Sequence, residues 1–386
     1  MKKTILITGG AGFVGHHCVE HVLKNTDWNI VILDALTYAG DLNRIHSMEV
    51  FDDNRIEFFW HDLRSPINHN FKIDYCIHFA AESHVDRSLQ DSIPFAQSNV
   101  VGTANLLEYL RSTNPNCKTL IFSTDEVFGA APERVYFKEN DQLKPSNPYA
   151  ASKVGEEAMA YSFAHAFDLP IIIARCTNVI GELQHPEKFV PKTIKAILNY
   201  ETVLLHGRNF DDMSSRCWIH ARNVADACLF LLNNGKIKEY YNIAGEEQTV
   251  LKMTQWISEE IGISGDKVKF EFLDYHKARP GHDKRYALDG SKLAKLGWKS
   301  PVNLENSLKK TVKWTLKYDP NFKNKSIKKD DILKSNCCNA EIRFMEKKRY
   351  KTPDATITFS GGIICSKCRK KCESDGLAEL PIKFIK

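Results

Sequence analysis

Short apolar runs alternate with amphipathic stretches through the first half of the chain. KTILIT (3–8), NIVILD (29–34), IEFFWHDL (56–63), DYCIHFA (74–80), TLIFST (119–124) and PIIIAR (170–175) are rich in β-branched and aromatic residues and read as strands. HHCVEHVLKN (16–25) between the first two reads as a helix, which makes a βαβ unit. Near-continuous apolar strands separated by helices imply a parallel sheet covered on both faces. The pattern therefore predicts an α/β fold with a doubly wound parallel sheet. Beyond residue 177 the rhythm loosens into short strands, turns and helices such as VADACLFLLNN (224–234) and MTQWISEEIG (253–262). That suits a smaller C-terminal lobe that completes a binding cleft. SLKKTVKWTLKY (307–318) reads as a last helix, and the lysine-rich NFKNKSIKKDD (321–331) as a linker. The expected divisions are 1–176 for a cofactor-binding domain that includes the catalytic residues, 177–320 for a substrate lobe, 321–335 for a linker and 336–386 for a cysteine-rich module.

Composition fits this picture. Of 386 residues, 43% are hydrophobic and 26% charged, as in a soluble globular protein. No apolar run is long enough to span a bilayer. The two N-terminal lysines precede an apolar run that glycines soon break, so it reads as a strand and not as a leader. The expected location is the cytoplasm, where thiols stay reduced. Net charge is +5, but residues 318–386 hold 16 Lys/Arg and 9 Asp/Glu, so that tail carries +7 and the remainder −2. Cysteines are uneven too. Cys18, Cys76, Cys117, Cys176, Cys217 and Cys228 are scattered in mostly apolar surroundings and read as small buried hydrophobes, whereas five crowd the last 50 residues.

Candidate chemistry begins at TGGAGFVG, where Gly9, Gly12 and Gly15 recur between a strand and a helix. Small residues there let backbone N–H groups and a helix N-terminus approach a pyrophosphate. Asp34 ends the second strand, at the position where an acid accepts hydrogen bonds from a ribose 2′-hydroxyl and favours NAD over NADP. This makes the sheet Rossmann-type. In NPYAASK, Tyr149 and Lys153 stand four apart, on one face if helical. An ammonium near a phenol lowers its pKa, so that the phenolate can take a proton from a sugar hydroxyl. In FSTDEVFG, two acids follow directly where an apolar strand ends.

Together TGGAGFVG, Asp34, the Ser123–Thr124 pair and YAASK resemble the extended short-chain dehydrogenase/reductase superfamily. DALTYAGDLNRI (34–45), AAESHVDRSL (80–89), STDEVFG (123–129), PEKFVP (186–191) and ARPGHDKRYALD (278–289) narrow the resemblance to the dTDP-glucose 4,6-dehydratase family, over about residues 1–317. The resemblance implies a hydro-lyase that oxidises a nucleotide sugar at C4, eliminates water across C5 and C6, and reduces C6. It assigns Tyr149, supported by Lys153, to the 4-hydroxyl proton, Thr124 to that oxygen, Glu126 to the C5 proton and Asp125 to the leaving hydroxyl. It places NAD against Gly9, Gly12, Phe13, Val14, Gly15, Asp34, Thr37, Asp62, Leu63, Ala80, Ala81, Ser83, Ser98, Tyr149 and Lys153. It places the nucleotide sugar against Ser83, Thr124, Asn178, Glu187, Lys188, Arg216, Asn242, Arg279 and His282. A homodimer paired through helices that include the Tyr–Lys one is implied as well. The chain departs from the family at Phe128, where a tyrosine is usual, at Val179 and Ile180 in RCTNVIG, in the segment before Arg216, and at Ala278.

Within the superfamily, epimerases and decarboxylases need the Tyr–Lys pair but not the two acids, so Asp125 and Glu126 discriminate. An NAD-sensing scaffold is the non-enzymatic alternative, and an intact Thr–Asp–Glu–Tyr–Lys set speaks against it. The tail, SNCCNAEIRF followed by GGIICSKCRKKCE, resembles a zinc ribbon. Cys337, Cys338, Cys365 and Cys368 are the expected ligands of one Zn²⁺, with Cys372 an alternative to Cys337, because a module this small needs a metal to hold together. Its basic charge admits nucleic acid or protein as a partner.

Overall fold

The computed structural model describes residues 2–48, 50–51, 53–210, 212–263, 268–273, 283–319 and 322, and the short strands 342–344, 363–365 and 382–384. All six expected strands form: β1 (Thr4–Thr8), β2 (Asn29–Asp34), β3 (Ile56–Trp60), β4 (Tyr75–His78), β5 (Lys118–Thr124) and β6 (Ile171–Cys176). They pair in parallel in the order β6-β5-β4-β1-β2-β3. A seventh parallel strand, Tyr240–Ile243, flanks β6, and Ile382–Phe384 runs parallel beside β3. The fold is the Rossmann-type doubly wound sheet that the sequence predicts. Its order reverses between β1 and β4, and a cleft opens beyond the carboxyl ends of strands at such a reversal.

Burial explains the apolar runs. Every residue of β6 is buried, as are four of five in β1. On one face Ile5, Ile7 and Ile32 pack with Val19 and Val22 of α1 (Phe13–Asn25). On the other, Leu6, Leu33 and Cys76 pack with Leu106 and Leu110 of the helix Gly102–Thr113. The six scattered cysteines are free and buried.

One boundary differs from the expectation. The helix Ala221–Asn234 and the strand Tyr240–Ile243, assigned to the smaller lobe, belong to the main sheet. Val224, Cys228, Leu231 and Leu232 bury in the same core as Ile5 and Val19. Burial of each such side chain contributes roughly 1.5–3 kcal/mol, which overrides chain order. The smaller lobe keeps its own core of Ile194, Leu205, Met253, Ile257 and Leu308. The chain thus crosses the seam between the halves more than once. Buried polar contacts hold that seam: Arg44 donates to the Leu183 carbonyl at 3.2 Å, and the Glu182 carboxylate meets His220 at 3.0 Å and Arg222 at 2.9 Å.

Candidate active site

β1 ends at Thr8, and the chain turns through Gly9 into α1. Gly9 has φ +69°, and a Cβ there would lie 2.7 Å from the Ala80 nitrogen. A Cβ at Gly15 would lie 2.1 Å from the Gly9 carbonyl oxygen. Side chains are excluded at both positions, so the turn sits tight against helix and sheet. No side chain caps the start of α1, and no acid occupies its first turn. Its N–H groups and the positive end of its dipole are thereby left for an anion. The buried Asp34 carboxylate accepts from the Ala11 N–H at 3.0 Å and the Leu36 N–H at 2.8 Å, which places it at the β2 end of the same turn. These residues fit a dinucleotide.

The turn forms one end of a cleft of about 330 Å³. Gly9, Gly12, Phe13, Val14, Gly15, Ala81 and Ser83 line it there; Thr124, Asp125, Glu126, Tyr149 and Lys153 line its middle; Asn178, Glu187 and Lys188 line the lobe side. Other predicted residues stand back from the lining. Ala80 lies beneath Gly9, and Leu63 is buried with its carbonyl accepting from Asn105 at 2.7 Å. Asp62 pairs with Arg64 at 2.5 Å, Ser98 lies in a wide helical turn over 96–101, and Thr37 accepts from the Gly40 N–H at 3.2 Å. Asn242 is fully buried and donates to the carbonyls of Phe137 and Asp289 at 2.9 and 3.2 Å, so it braces the core beside the strand end. Arg216 donates to the carbonyls of Ser215, Lys284 and Asp283, but its charge still acts on both cleft acids. Arg279 and His282 lie outside the described residues.

The two acids occupy different environments. Asp125 is buried, and its pKa is pushed up to about 8, by burial first and then by the Glu126 charge. Its Oδ1 accepts from the Thr124 hydroxyl at 3.2 Å, while Oδ2 has no partner among the described residues. Glu126 is also raised by burial, but the Asn147 amide, Arg216 and Lys188 all favour its charged form, and Asn147 Nδ2 donates to Oε2 at 3.0 Å. A carboxyl that keeps its proton therefore sits beside one that gives it up more readily.

Asp125 also makes stability depend on pH. Its folded pKa lies above the unfolded value of about 3.9. Its stabilising contribution is therefore present below about pH 4 and is lost as pH rises through about 8. Asp125→Asn should melt above the wild type at pH 9 and level with it at pH 4. Equal differences at both values would contradict the burial argument.

Lys153 departs from the expectation. Its ammonium donates to the Phe122 carbonyl at 2.8 Å and to Glu156 Oε2 at 2.5 Å. Tyr149 is held well above the ordinary phenol range, by burial first and then by the Glu126 charge, with the Thr124 hydroxyl opposing. Glu156, paired with the Lys153 ammonium, is a further charge that raises it.

The family model of GDP-mannose 4,6 dehydratases matches residues 6–311. The chain belongs to this family. It is 38% identical over 316 residues to the low-salt glycan biosynthesis protein Agl12 of Haloferax volcanii, covering 81% of this chain and 98% of that one. It is similar to the dTDP-glucose 4,6-dehydratase of Streptomyces venezuelae, solved with NAD bound, at 33% identity and TM-score 0.74, over 82% of this chain and 97% of that one. It is similar also to a UDP-N-acetylglucosamine 4-epimerase of Methanobrevibacter ruminantium, solved with UDP-N-acetylmuramic acid, at 27% identity and TM-score 0.71, over 82% and 99%.

In this member of the GDP-mannose 4,6 dehydratase family, several lining groups escape motif reading. Asn147 orients Glu126 and also caps the helix Pro148–Ala166 by accepting from the Ala150 N–H at 2.8 Å. Asn before Pro is a helix-start signal, so the sequence held that clue. Tyr38 and Arg44, both within the 34–45 motif, and His185 and Trp218 also line the cleft, and the last two carry no such signal. Phe128, the departure beside the acids, is buried and stacked on Phe137 at 4.9 Å between centroids, with the Arg175 guanidinium 4.7 Å from the centre of the Phe128 ring. It faces the core, away from the cleft.

Proposed function

We propose that this chain is an NAD-dependent nucleoside-diphosphate hexose 4,6-dehydratase, with dTDP-glucose its expected substrate. The observation that carries the reading is the pair Asp125 and Glu126, set in unlike environments in the cleft that also holds Thr124, Tyr149 and Lys153. The glycine turn, the uncapped start of α1 and Asp34 would hold NAD, which supplies oxidation at C4 and later reduction at C6. Tyr149 takes the proton of the 4-hydroxyl while Thr124 hydrogen-bonds the same oxygen. The resulting 4-keto group acidifies the C5–H. Glu126 removes that proton, Asp125 gives one to the C6 hydroxyl, and water leaves. Lys188 and Arg216 supply positive charge for the diphosphate.

A 4-epimerase uses the same Tyr–Lys pair, and a solved epimerase shares the fold. The products separate the readings. Incubation with dTDP-, UDP-, GDP- and CDP-hexoses should give, with at least one of them, a product lighter by one water. A product of unchanged mass, or none with any of the four, would sink the dehydratase reading.

The zinc reading of the tail remains a proposal. Cys337, Cys338, Cys368 and Cys372 lie outside the described residues, and among the described residues no group of three or more His, Cys, Asp or Glu is placed to hold a metal. The strands Ile342–Phe344 and Ile363–Cys365 pair antiparallel, with Ile342 opposite Cys365. Reduced, purified full chain should carry about one zinc per molecule; none by elemental analysis would remove the claim.

A further inference from the structure

Tyr149, Lys153 and Glu156 follow one another at helical spacing along one face of the helix Pro148–Ala166. Glu156 is fully buried, its Oε2 lies 2.5 Å from the Lys153 ammonium, and its Oε1 has no hydrogen-bond partner among the described residues. The neighbouring Glu157 turns elsewhere and forms a two-point pair with Arg175 at 2.9 and 2.7 Å. An ammonium has three donors. Glu156 and the Phe122 carbonyl take two, and Lys153 also lines the cleft, so the third is left for a group bound there.

We propose that Glu156 is a positioning residue for proton removal by Tyr149: it fixes the Lys153 ammonium so that one N–H serves the cleft, and its charge offsets that of the ammonium on the face that carries the phenol. The inference rests on the reading of Tyr149 as the base. A buried carboxylate next to a lysine is costly unless the pairing is close, and here it is. The other titratable groups around this face are accounted for. His78, from β4, bonds Thr8 at 2.6 Å and Thr103 at 2.9 Å, and burial first and Lys153 second lower its pKa to about 3, so it is neutral. Asp125 and Glu126 face Tyr149 from the end of β5, and both act to keep its proton on. Glu157 is the remaining acid that acts on Glu156, and Arg175 already pairs with it. Glu156 is itself raised to about 7, by burial first and against the pull of Lys153. Above that value Glu156 is charged, and its charge opposes the phenolate that a lone lysine cation would promote.

Two measurements test this without any sugar. The first is the pH at which phenolate absorbance of Tyr149 appears in NAD-saturated protein, taken as the difference between each protein and its Tyr149→Phe counterpart. Glu156→Gln should bring the midpoint down by about one pH unit, a tenfold change in the proton equilibrium, because the lysine charge is no longer offset. Glu156→Asp keeps the charge and should keep the wild-type midpoint. The second is calorimetric NAD affinity of cofactor-stripped protein. Glu156→Met, of similar volume but with no acceptor, should weaken it about tenfold, whereas Glu156→Gln, whose amide oxygen still accepts, should weaken it less. If Glu156→Gln does not fold, Glu156→Met carries the absorbance expectation too. An unmoved midpoint in the uncharged variant would overturn the proposal, as would a shift in Glu156→Asp equal to that in Glu156→Gln. Wild-type NAD affinity in Glu156→Met would overturn its positional half. A shifted midpoint alongside a failed nucleotide-sugar panel would keep the role of Glu156 and discard the dehydratase.

Discussion

Tyr149→Phe lowers the rate of C4 oxidation by about 10²–10⁴-fold, the range of a lost general base, and leaves the fold intact. The ring packs with Val85 and Phe95, and Phe95 meets it edge-on at 6.3 Å between centroids. Phenylalanine preserves that packing and removes only the hydroxyl, so melting temperature and sugar affinity should stay near wild type. The rate in the wild type should rise with pH as the phenol ionises, because burial and the Glu126 charge hold the proton on. The variant should show no such rise. Single-turnover absorbance of reduced cofactor against pH checks this. An undiminished rate, or an unchanged pH limb, would remove Tyr149 from the role of base.

Glu126→Gln separates the two halves of the reaction. Asn147 Nδ2 can still donate to the glutamine carbonyl, as it does to Glu126 Oε2 at 3.0 Å, so the side chain keeps its place. What is lost is a group able to accept the C5 proton. Water loss should slow by about 10²–10⁴-fold, whereas C4 oxidation should stay within about tenfold of wild type. Reduced cofactor and an oxidised, undehydrated sugar should therefore accumulate. Equal loss of both steps would mean that Glu126 serves the oxidation, and the assignment of the two acids would fall.

The parts legible in sequence were those that local backbone chemistry dictates. The glycines at 9 and 15 are needed because a Cβ would strike backbone atoms, and that constraint is written in the residue type itself. β1 to β6 are apolar over nearly their whole length because both sheet faces are covered. What escaped were long-range choices. The helix Ala221–Asn234 carries an apolar face that fits either half, and only its packing on α1 settles which. Glu156 and Glu157 are adjacent and identical in type, yet one pairs with Lys153 and the other with Arg175, which helix rotation decides. Phe128 stands beside the acids in sequence, but the turn aims it into the core. Asn242 is polar at a strand end, and the segments it braces come from residues 137 and 289, far from it in the chain.

The most direct test of the central claim is the mass of the sugar nucleotide recovered after incubation of purified protein with NAD and dTDP-glucose in deuterium oxide. The account predicts a product lighter by one water and carrying one deuterium from solvent at C5, since Glu126 exchanges the removed proton before C5 is protonated again. A product of unchanged mass with no solvent deuterium, formed by inversion at C4 alone, would contradict it.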